Sequence, residues 1–312
     1  MKKEIAPDYY QDFRCTADLC RHSCCIGWEI DVDDDSLAAY QTLPGPLGDE
    51  IRSTIVTEDG CAHFQLLEGD RCPFLNERGL CRMILGFGED VLCQICADHP
   101  RFRNEFSHCT EIGVGLSCEA AAELILTQKD PMILVLHSGD IGNDIPDELE
   151  QSLLTLRARL FSLLADEEWT VEERLENILD FCGIALPEKT WEQWTEVYRS
   201  LERLDSEWDT VLDTLSSPAA PLDTQWDAPF RNLATYFLYR HLPAALYDGE
   251  DVARTAFAVL STLVIRQLFA AAPVQTMETL VELCRMYSAE IEYSTENTDA
   301  LIALLAEHLI LF

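Results

Sequence analysis

The chain contains few basic residues. Lysine and arginine together number 22 against 56 aspartates and glutamates, which gives a formal net charge of −34. Lysine itself occurs only at Lys2, Lys3, Lys129 and Lys189. Such an acidic surface repels nucleic-acid backbones and anionic membranes, whereas it favours or tolerates a basic partner. We therefore expect neither nucleic acid nor membrane among its partners.

Long apolar runs are also missing. The longest apolar stretch, residues 255–272, contains Arg266, and its uninterrupted part is far shorter than the roughly 20 residues that a membrane helix needs. We predict a buried core helix there. The basic residues Lys2 and Lys3 are not followed by the apolar centre of a secretory signal. These absences predict a cytoplasmic protein.

Cysteine, in contrast, is abundant and clustered. Of the 13 cysteines, 11 lie within the first 118 residues. Reducing compartments do not keep structural disulfides, and an odd total fits complete pairing poorly, so the cluster indicates metal binding or redox chemistry. The candidate metal ligands are Cys15, Cys20, Cys24, Cys25, Cys72, Cys81, Cys93 and Cys96.

The spacing of these thiols favours an iron–sulfur cluster over structural zinc. Cys93 and Cys96 form a Cys-x-x-Cys pair, which points two thiolates at one metal centre. A structural zinc site often uses two such pairs, whereas here only one occurs, and the adjacent Cys24 and Cys25 are unlike a zinc knuckle. A four-iron cluster takes four thiolates, so the surplus leaves room for a second metal, zinc included, or for packing cysteines.

Arginines accompany the cysteines. Five of them lie within residues 71–103 of this acidic chain: Arg71, Arg78, Arg82, Arg101 and Arg103. They would offset the negative charge of thiolate ligands or bind the carboxylate of a small ligand. The alternative is ordinary solvated surface arginine.

Residue periodicity predicts a mainly α fold in two parts. Residues 1–140 form a cysteine-rich metal-binding region with a few short strands, and residues 141–312 form an all-α helical domain. Alternation and turn residues predict strands at 28–33, 61–67, 102–106, 112–116 and 132–136, with a tight hairpin at 72–81. Helical spacing and capping residues predict helices at 119–127, 146–165, 170 onwards, 191–215, 229–241, 250–272, 275–291 and 295–311.

Several motifs resemble those of a known family. The first is Pro7-Asp8-Tyr9-Tyr10-x-x-Phe13-x-Cys15-x4-Cys20-x3-Cys24-Cys25-x-Gly27-Trp28-x-Ile30-Asp31. The others are Cys72-Pro73-Phe74-Leu75, Leu80-Cys81, Leu92-Cys93-x-x-Cys96-x-x-His99-Pro100-Arg101 and Leu116-Ser117-Cys118-x-Glu-Ala-Ala. Together they are similar to the flagellin lysine-N-methylase family over residues 7–127. The first part also looks like the broader zinc- or iron-chelating cysteine family.

This resemblance implies methyl transfer from S-adenosylmethionine to lysine side chains of flagellin or another protein. It also implies a four-iron cluster on the motif cysteines, for which Cys20, Cys24, Cys93 and Cys96 are favoured and Cys72 and Cys81 come next.

Residues of the first motif suit the methyl transfer. A lysine must lose its proton before it accepts a methyl group, and aromatic faces attract a sulfonium donor. Candidates for catalysis are Tyr9, Tyr10 and Asp31, and candidates for cofactor binding are Trp28 and Arg101. The alternative for the aromatic residues is packing around the metal.

A non-enzymatic function is the alternative hypothesis. A nucleotide-type fold would alternate strands and helices around a Gly-rich turn, and the helical second half of the chain lacks that pattern. The alternative function is therefore a zinc- or iron-binding interaction module. Nothing in the sequence indicates the oligomeric state.

Overall fold

A computed structural model describes residues 2–139 and 145–311 of the chain. The chain divides into two compact units. The cysteine unit comprises residues 14–101, and the helical unit comprises residues 1–13 together with 102–312. The boundary predicted at residue 140 lies outside the described residues and stays a prediction.

Helices predominate, as the sequence predicts. They are α1 (Asp34–Tyr40), α2 (Gly45–Thr54), α3 (Arg82–Phe87), α4 (Gln94–Asp98), α5 (Glu119–Leu126), α6 (Glu148–Leu164), α7 (Val171–Cys182), α8 (Trp191–Arg199), α9 (Glu207–Leu212), α10 (Asp227–His241), α11 (Ala245–Asp248), α12 (Asp251–Ala271), α13 (Met277–Tyr287) and α14 (Thr295–His308). The strands are β1 (Glu4–Pro7), β2 (Ile55–Glu58), β3 (Cys61–Phe64), β4 (Arg101–Glu105), β5 (Thr110–Val114), β6 (Leu134–Ser138), β7 (Ile184–Ala185) and β8 (Ile310–Leu311).

A four-stranded sheet in the helical unit has the order β4-β5-β1-β6. Strand β1 pairs in parallel with the buried β5, with Glu4 opposite Thr110, and antiparallel with β6. The strands expected at 102–106, 112–116 and 132–136 are confirmed within two residues. The pairing of β7 with β8, in which Ile184 lies opposite Leu311, corrects the expectation of an all-α region after residue 141.

The core of the helical unit surrounds α10 and α12. Helix α12 is long and apolar enough to span a membrane by length and composition, but 78% of its most apolar window is buried inside the protein. It packs against α10, α13 and α14, and its neighbours supply large buried side chains such as Phe237 and Tyr287. The predicted core helix at 250–272 is therefore confirmed.

The helix predicted at 191–215 is wrong, because the chain forms α8 and α9 with a break between them. In this break, backbone amides donate hydrogen bonds to side chains that are distant in sequence. The Glu290 carboxylate accepts from the amides of Leu204 and Asp205, and Asn297 Oδ1 accepts from the Glu202 amide at 2.7 Å. Amides that bond to distant side chains cannot continue the helical ladder.

The cysteine unit is built from short elements. Strands β2 and β3 form an antiparallel hairpin. The segment expected as a strand at 28–33 runs beside it, because the Phe64 amide donates to the Ile30 carbonyl at 3.1 Å and the Val32 amide donates to the Ala62 carbonyl at 2.7 Å. Ile30 and Val32 are buried as the alternation predicts, but the segment pairs through a single bridge at Asp31 rather than as a regular strand.

Candidate metal centre

Backbone pairing brings the chain around Cys25 beside the chain around Cys72. The Cys72 amide donates to the Cys25 carbonyl at 2.8 Å, and the Gly27 amide donates to the Asp70 carbonyl at 3.0 Å. Both bonds connect segments that are more than forty residues apart in sequence. The two cysteines therefore meet through tertiary structure and not through local spacing.

A tight turn carries Cys81 to the same place. The Asn76 side-chain oxygen accepts from the Leu80 amide at 3.0 Å, and the Asn76 amide donates to the Leu80 carbonyl at 3.0 Å. Gly79 adopts the left-handed conformation, with φ of 74°, which a residue without Cβ tolerates best. The hairpin predicted at residues 72–81 is confirmed, and Cys81 becomes the N-cap residue of α3.

The Cys-x-x-Cys pair lies at the start of α4, where Cys93 is the N-cap residue and Cys96 follows one turn later. This helix start is fixed by Asp33, whose Oδ2 accepts from the Gln94 amide at 2.8 Å. The same aspartate caps α1 through the Ser36 amide at 2.9 Å. The bonds from Gln94 and then Ser36 hold the pKa of Asp33 below its usual range.

Five thiols of the cysteine unit lie close enough for the charge on one to shift the pKa of another. This thiol group consists of Cys25, Cys72, Cys81, Cys93 and Cys96. Cys72 and Cys93 are buried, and the other three are half-buried. The structure thus brings together five of the eight predicted ligands: Cys25, Cys72, Cys81, Cys93 and Cys96.

The thiols differ in acidity. A hydrogen bond from the Cys24 thiol, assisted by Ser23 and by the charge of Arg71, lowers the pKa of Cys25 to about 7. Burial raises the pKa of Cys72 to about 12. The hydrogen bond between Cys93 and Cys96 lowers the pKa of Cys93, and that bond together with burial raises the pKa of Cys96.

The thiol group therefore retains most of its protons at neutral pH when no cation is bound. Burial disfavours each thiolate, and each thiolate disfavours the next one. A bound cation reverses both effects, because metal ligation requires and stabilises the thiolate form.

The donor chemistry suits a thiophilic metal, since cysteine thiolates hold both iron–sulfur clusters and structural zinc. In the structure, however, the side chains of the thiol group are not arranged as a complete metal-binding site. Among residues 2–139 and 145–311, no three side chains of His, Cys, Asp or Glu are arranged as a metal-binding group. Metal binding and the individual ligands accordingly stay predictions.

The remaining predicted ligands lie nearer the start of the cysteine unit. Cys15 and Cys24 are exposed, and Cys20 is half-buried. The Ala17 amide donates to Cys15 Sγ at 3.4 Å, and Cys20 Sγ donates to the His22 carbonyl at 3.2 Å. Cys24 contributes to the thiol group indirectly, through its hydrogen bond to its neighbour in sequence.

The two predicted cofactor-binding residues contact the backbone of cysteine-bearing segments. Trp28 Nε1 donates to the Cys24 carbonyl at 2.7 Å, and its ring lies 6.1 Å from the ring of His99. Arg101 Nη1 donates to the Ala97 carbonyl in α4 at 3.3 Å. Both side chains are half-buried, which leaves part of each available to a ligand.

The predicted catalytic residues have different surroundings. Tyr9 belongs to the core of the helical unit, and its hydroxyl lies 3.7 Å from Met132 Sδ. Burial, and then a neighbouring carboxylate, raises the pKa of Tyr9 above its usual range. Tyr10 is half-buried and packs edge-on against His137 at 5.0 Å. Asp31, in the cysteine unit, is exposed.

The sequence did not reveal the part that Tyr40 plays beside the thiols. Its hydroxyl donates to the Val91 carbonyl at 2.9 Å, which ties the end of α1 to the segment before Cys93. Burial, followed by negative charge at Cys93 and Cys96, raises the pKa of Tyr40 above its usual range. No local sequence signal indicates this contact, because Tyr40 and Val91 lie 51 residues apart in the chain.

The chain is similar to three curated proteins of Salmonella. It is 26% identical over 149 residues to a lysine-N-methylase of Salmonella choleraesuis and to one of Salmonella typhimurium, and the match covers 42% of this chain and 35% of each relative. It is also 26% identical over 144 residues to the flagellar biosynthetic protein FliU of Salmonella muenchen, covering 42% of this chain and 83% of the relative.

The match spans about a third of the length of the two curated lysine-N-methylases. No family model matches the chain, and no solved structure matches it. The curated relatives confirm the resemblance to flagellin lysine-N-methylases that the cysteine and aromatic motifs indicate.

Proposed function

We propose that this protein is a protein-lysine N-methyltransferase that takes its methyl group from S-adenosylmethionine. The observation that carries the proposal is the similarity to two curated lysine-N-methylases. The acceptor is flagellin or another lysine-bearing protein, and the FliU relative supports a flagellar acceptor by its name. The reaction would take place in the cytoplasm.

We further propose that the thiol group holds an iron–sulfur cluster of the four-iron type, with zinc as the alternative metal. Its support is the convergence of five thiols from segments far apart in sequence. Bound metal would supply charge neutralisation and a crosslink between those segments. Arg71 would then stabilise the thiolate of Cys25, as its effect on the pKa of that thiol indicates.

The transfer itself needs a deprotonated lysine. The lysine nitrogen attacks the donor methyl, the nitrogen–carbon bond forms, the sulfur–carbon bond of the sulfonium breaks, and the nitrogen has lost its proton to a base. Tyr9 is buried in the core of the helical unit, and burial raises its pKa above the usual range, so Tyr9 is not the base. We assign the role of base to the exposed carboxylate of Asp31. We assign contact with the donor sulfonium to the ring of Trp28.

Metal analysis after anaerobic purification tests the cluster. We expect about four irons with matching sulfide, and a Cys93→Ser/Cys96→Ser variant should lose both. A Cys61→Ser/Cys182→Ser variant is the matched control, because neither cysteine belongs to the thiol group. Stoichiometric zinc without iron would replace the cluster by a zinc site.

Methyl transfer is tested with radiolabelled S-adenosylmethionine and purified flagellin as acceptor. Label in flagellin lysines, reduced about a hundredfold in Asp31→Asn, supports the role of Asp31, since general base catalysis contributes roughly 10²- to 10⁴-fold. A metal-loaded protein that neither binds S-adenosylmethionine nor labels any acceptor would instead be a metal-stabilised interaction module.

A further inference from the structure

Helix α7 carries a charged residue on its inward face. Four of its residues are buried at helical spacing: Val171, Arg174, Leu175 and Ile178. Three are apolar, as expected for a helix face that packs on a core. Arg174 is the exception, with only 4% of its surface exposed.

Arg174 has no partner for its charge in the part of the chain that the structure describes. Within the described residues, its buried Nε has no hydrogen-bond partner, and no carboxylate forms an ion pair with its guanidinium. An uncompensated buried cation is expensive, because it loses hydration and gains no counter-charge. The low exposure of Arg174 therefore needs an explanation.

A second buried arginine, Arg231, lies on the neighbouring helix α10 and is 3% exposed. Its Nη2 donates to the Lys129 carbonyl at 2.8 Å, and its Nε donates to Asn232 Oδ1 at 3.1 Å. Both acceptors are neutral. Within the described ranges no carboxylate forms an ion pair with Arg231 either.

Other buried arginines of this unit are neutralised. Arg157 forms two hydrogen bonds with the Glu111 carboxylate, of which the Nη1 bond measures 2.6 Å. Arg254 pairs with Asp248. Although the chain carries 56 acidic residues, none of those that the structure describes forms an ion pair with Arg174 or Arg231.

The two arginines lie close enough for their charges to interact. Helix α7 packs on α10, and after burial itself, the charge of Arg174 contributes most to lowering the pKa of Arg231. The carboxylates that act on Arg231 in the opposite direction, Glu167 and Asp130, belong to exposed residues. Among the residues that the structure describes, the two buried cations thus have no carboxylate in direct contact.

We propose that Arg174 and Arg231 form a binding site for a small oxyanion, a phosphate or carboxylate group. Guanidinium groups present paired N–H donors that match both kinds of anion. A bound anion would supply the counter-charge that no described residue places there. The site lies in the helical unit and does not depend on the proposed methyl transfer.

Thermal unfolding of the full chain tests this site. Melting is followed in inorganic phosphate, in acetate and in chloride at equal ionic strength, because screening alone stabilises so acidic a protein. We expect phosphate or acetate to raise the melting temperature above that in chloride, since a ligand that binds only the folded state stabilises it. A response to phosphate identifies a phosphate group, and a response to acetate alone identifies a carboxylate.

Arg174→Met is the variant of choice, because methionine keeps much of the apolar stem and removes the charge. Calorimetric titration should show affinity for the responding anion lowered by about tenfold or more, as for the loss of a charge-assisted hydrogen bond. Arg159→Met, an exposed arginine on α6, is the control and should bind like the parent.

Two results would overturn the proposal. One is equal melting of the parent protein in all three salts. The other is an Arg174→Met protein whose response to phosphate or acetate matches that of the parent. Because each response is a difference between salts within one variant, a general loss of stability does not imitate either result.

Discussion

The helical unit and the cysteine unit achieve order in different ways. The helical unit buries large side chains from many helices, including Trp208, Tyr198, Phe237 and Tyr287. The core of the cysteine unit contains ten buried side chains, two of which are cysteines. Small cores rarely supply enough stability alone and are commonly supported by metals or crosslinks. The cysteine unit is therefore the part that we expect to depend on a ligand.

The two units also differ in how their buried ionisable groups are compensated. Most buried charges of the helical unit are compensated within the chain, as in the Glu292 network, where His241 Nε2 lies 2.6 Å from Glu292 Oε1 and Tyr236 donates to the same carboxylate. In the thiol group, the pKa of Cys72 is raised by burial and then by neighbouring thiols, and the pKa of Cys96 is raised by its bond to Cys93 and by burial. The comparison teaches that the helical unit compensates most of its buried charges within the chain, whereas we expect the thiol group to need a bound cation.

The largest effect should come from metal removal. If bound iron or zinc is stripped by oxidation and chelation, the cysteine unit should lose about 10 kcal/mol of metal-binding free energy and open, whereas the helical unit should stay folded. Hydrogen exchange with mass spectrometry reports each unit by its peptides. Unchanged protection of residues 14–101 would show that the small core suffices by itself.

Breaking a buried ion pair should destabilise the helical unit next most strongly. Arg157→Met leaves the Glu111 carboxylate buried without its cation, and we expect a loss of about 3–5 kcal/mol in the free energy of unfolding. Urea denaturation followed by circular dichroism measures it. Arg159→Met on the same helix should change stability by less than about 0.5 kcal/mol, and adding Glu111→Leu to Arg157→Met should recover most of the loss.

Acidification tests the Glu292 network. Burial lowers the pKa of His241, although its bond to Glu292 opposes this effect. His241 therefore binds a proton more readily in the unfolded chain than in the folded chain. The free energy of unfolding falls as pH drops through the ordinary histidine range. The slope from one such group is at most about 1.4 kcal/mol per pH unit.

His241→Gln should remove that contribution. Free energies of unfolding measured from about pH 7.5 to about pH 5.5, which brackets the ordinary histidine pKa, should depend less on pH than those of the parent. His308→Gln, at an exposed histidine, is the control. An unchanged slope in the His241 variant would show that this histidine does not govern the acid response.

The smallest effect concerns the capping aspartate of the cysteine unit. Asp33→Ala removes the acceptor for the Ser36 and Gln94 amides and should cost about 1 kcal/mol in the cysteine unit alone. Since its pKa is depressed, the contribution of Asp33 is present above the ordinary aspartate pKa and is lost as pH falls through the folded value. Asp35→Ala, at an exposed neighbour, should leave hydrogen exchange of α1 and α4 unchanged.

Local patterns predicted much of the helical unit. The capping box of Thr170 and Glu173 starts α7 where expected, and apolar spacing located α10, α12 and α14 to within a few residues. The break between α8 and α9 was missed because its cause, Glu290, lies more than eighty residues away. The short β7–β8 pair was missed for the same reason.

The sequence by itself determined the acidic surface, the mainly α fold, the clustering of the thiols and the resemblance to lysine-N-methylases. These properties follow from composition, short-range periodicity and motif spacing, which a linear chain displays directly. Only the tertiary structure decided that Cys25 joins Cys72, Cys81, Cys93 and Cys96, and that Arg174 and Arg231 are buried without a carboxylate partner among the described residues. Such pairings depend on which distant segments pack against each other, and that is decided by the burial of the whole core.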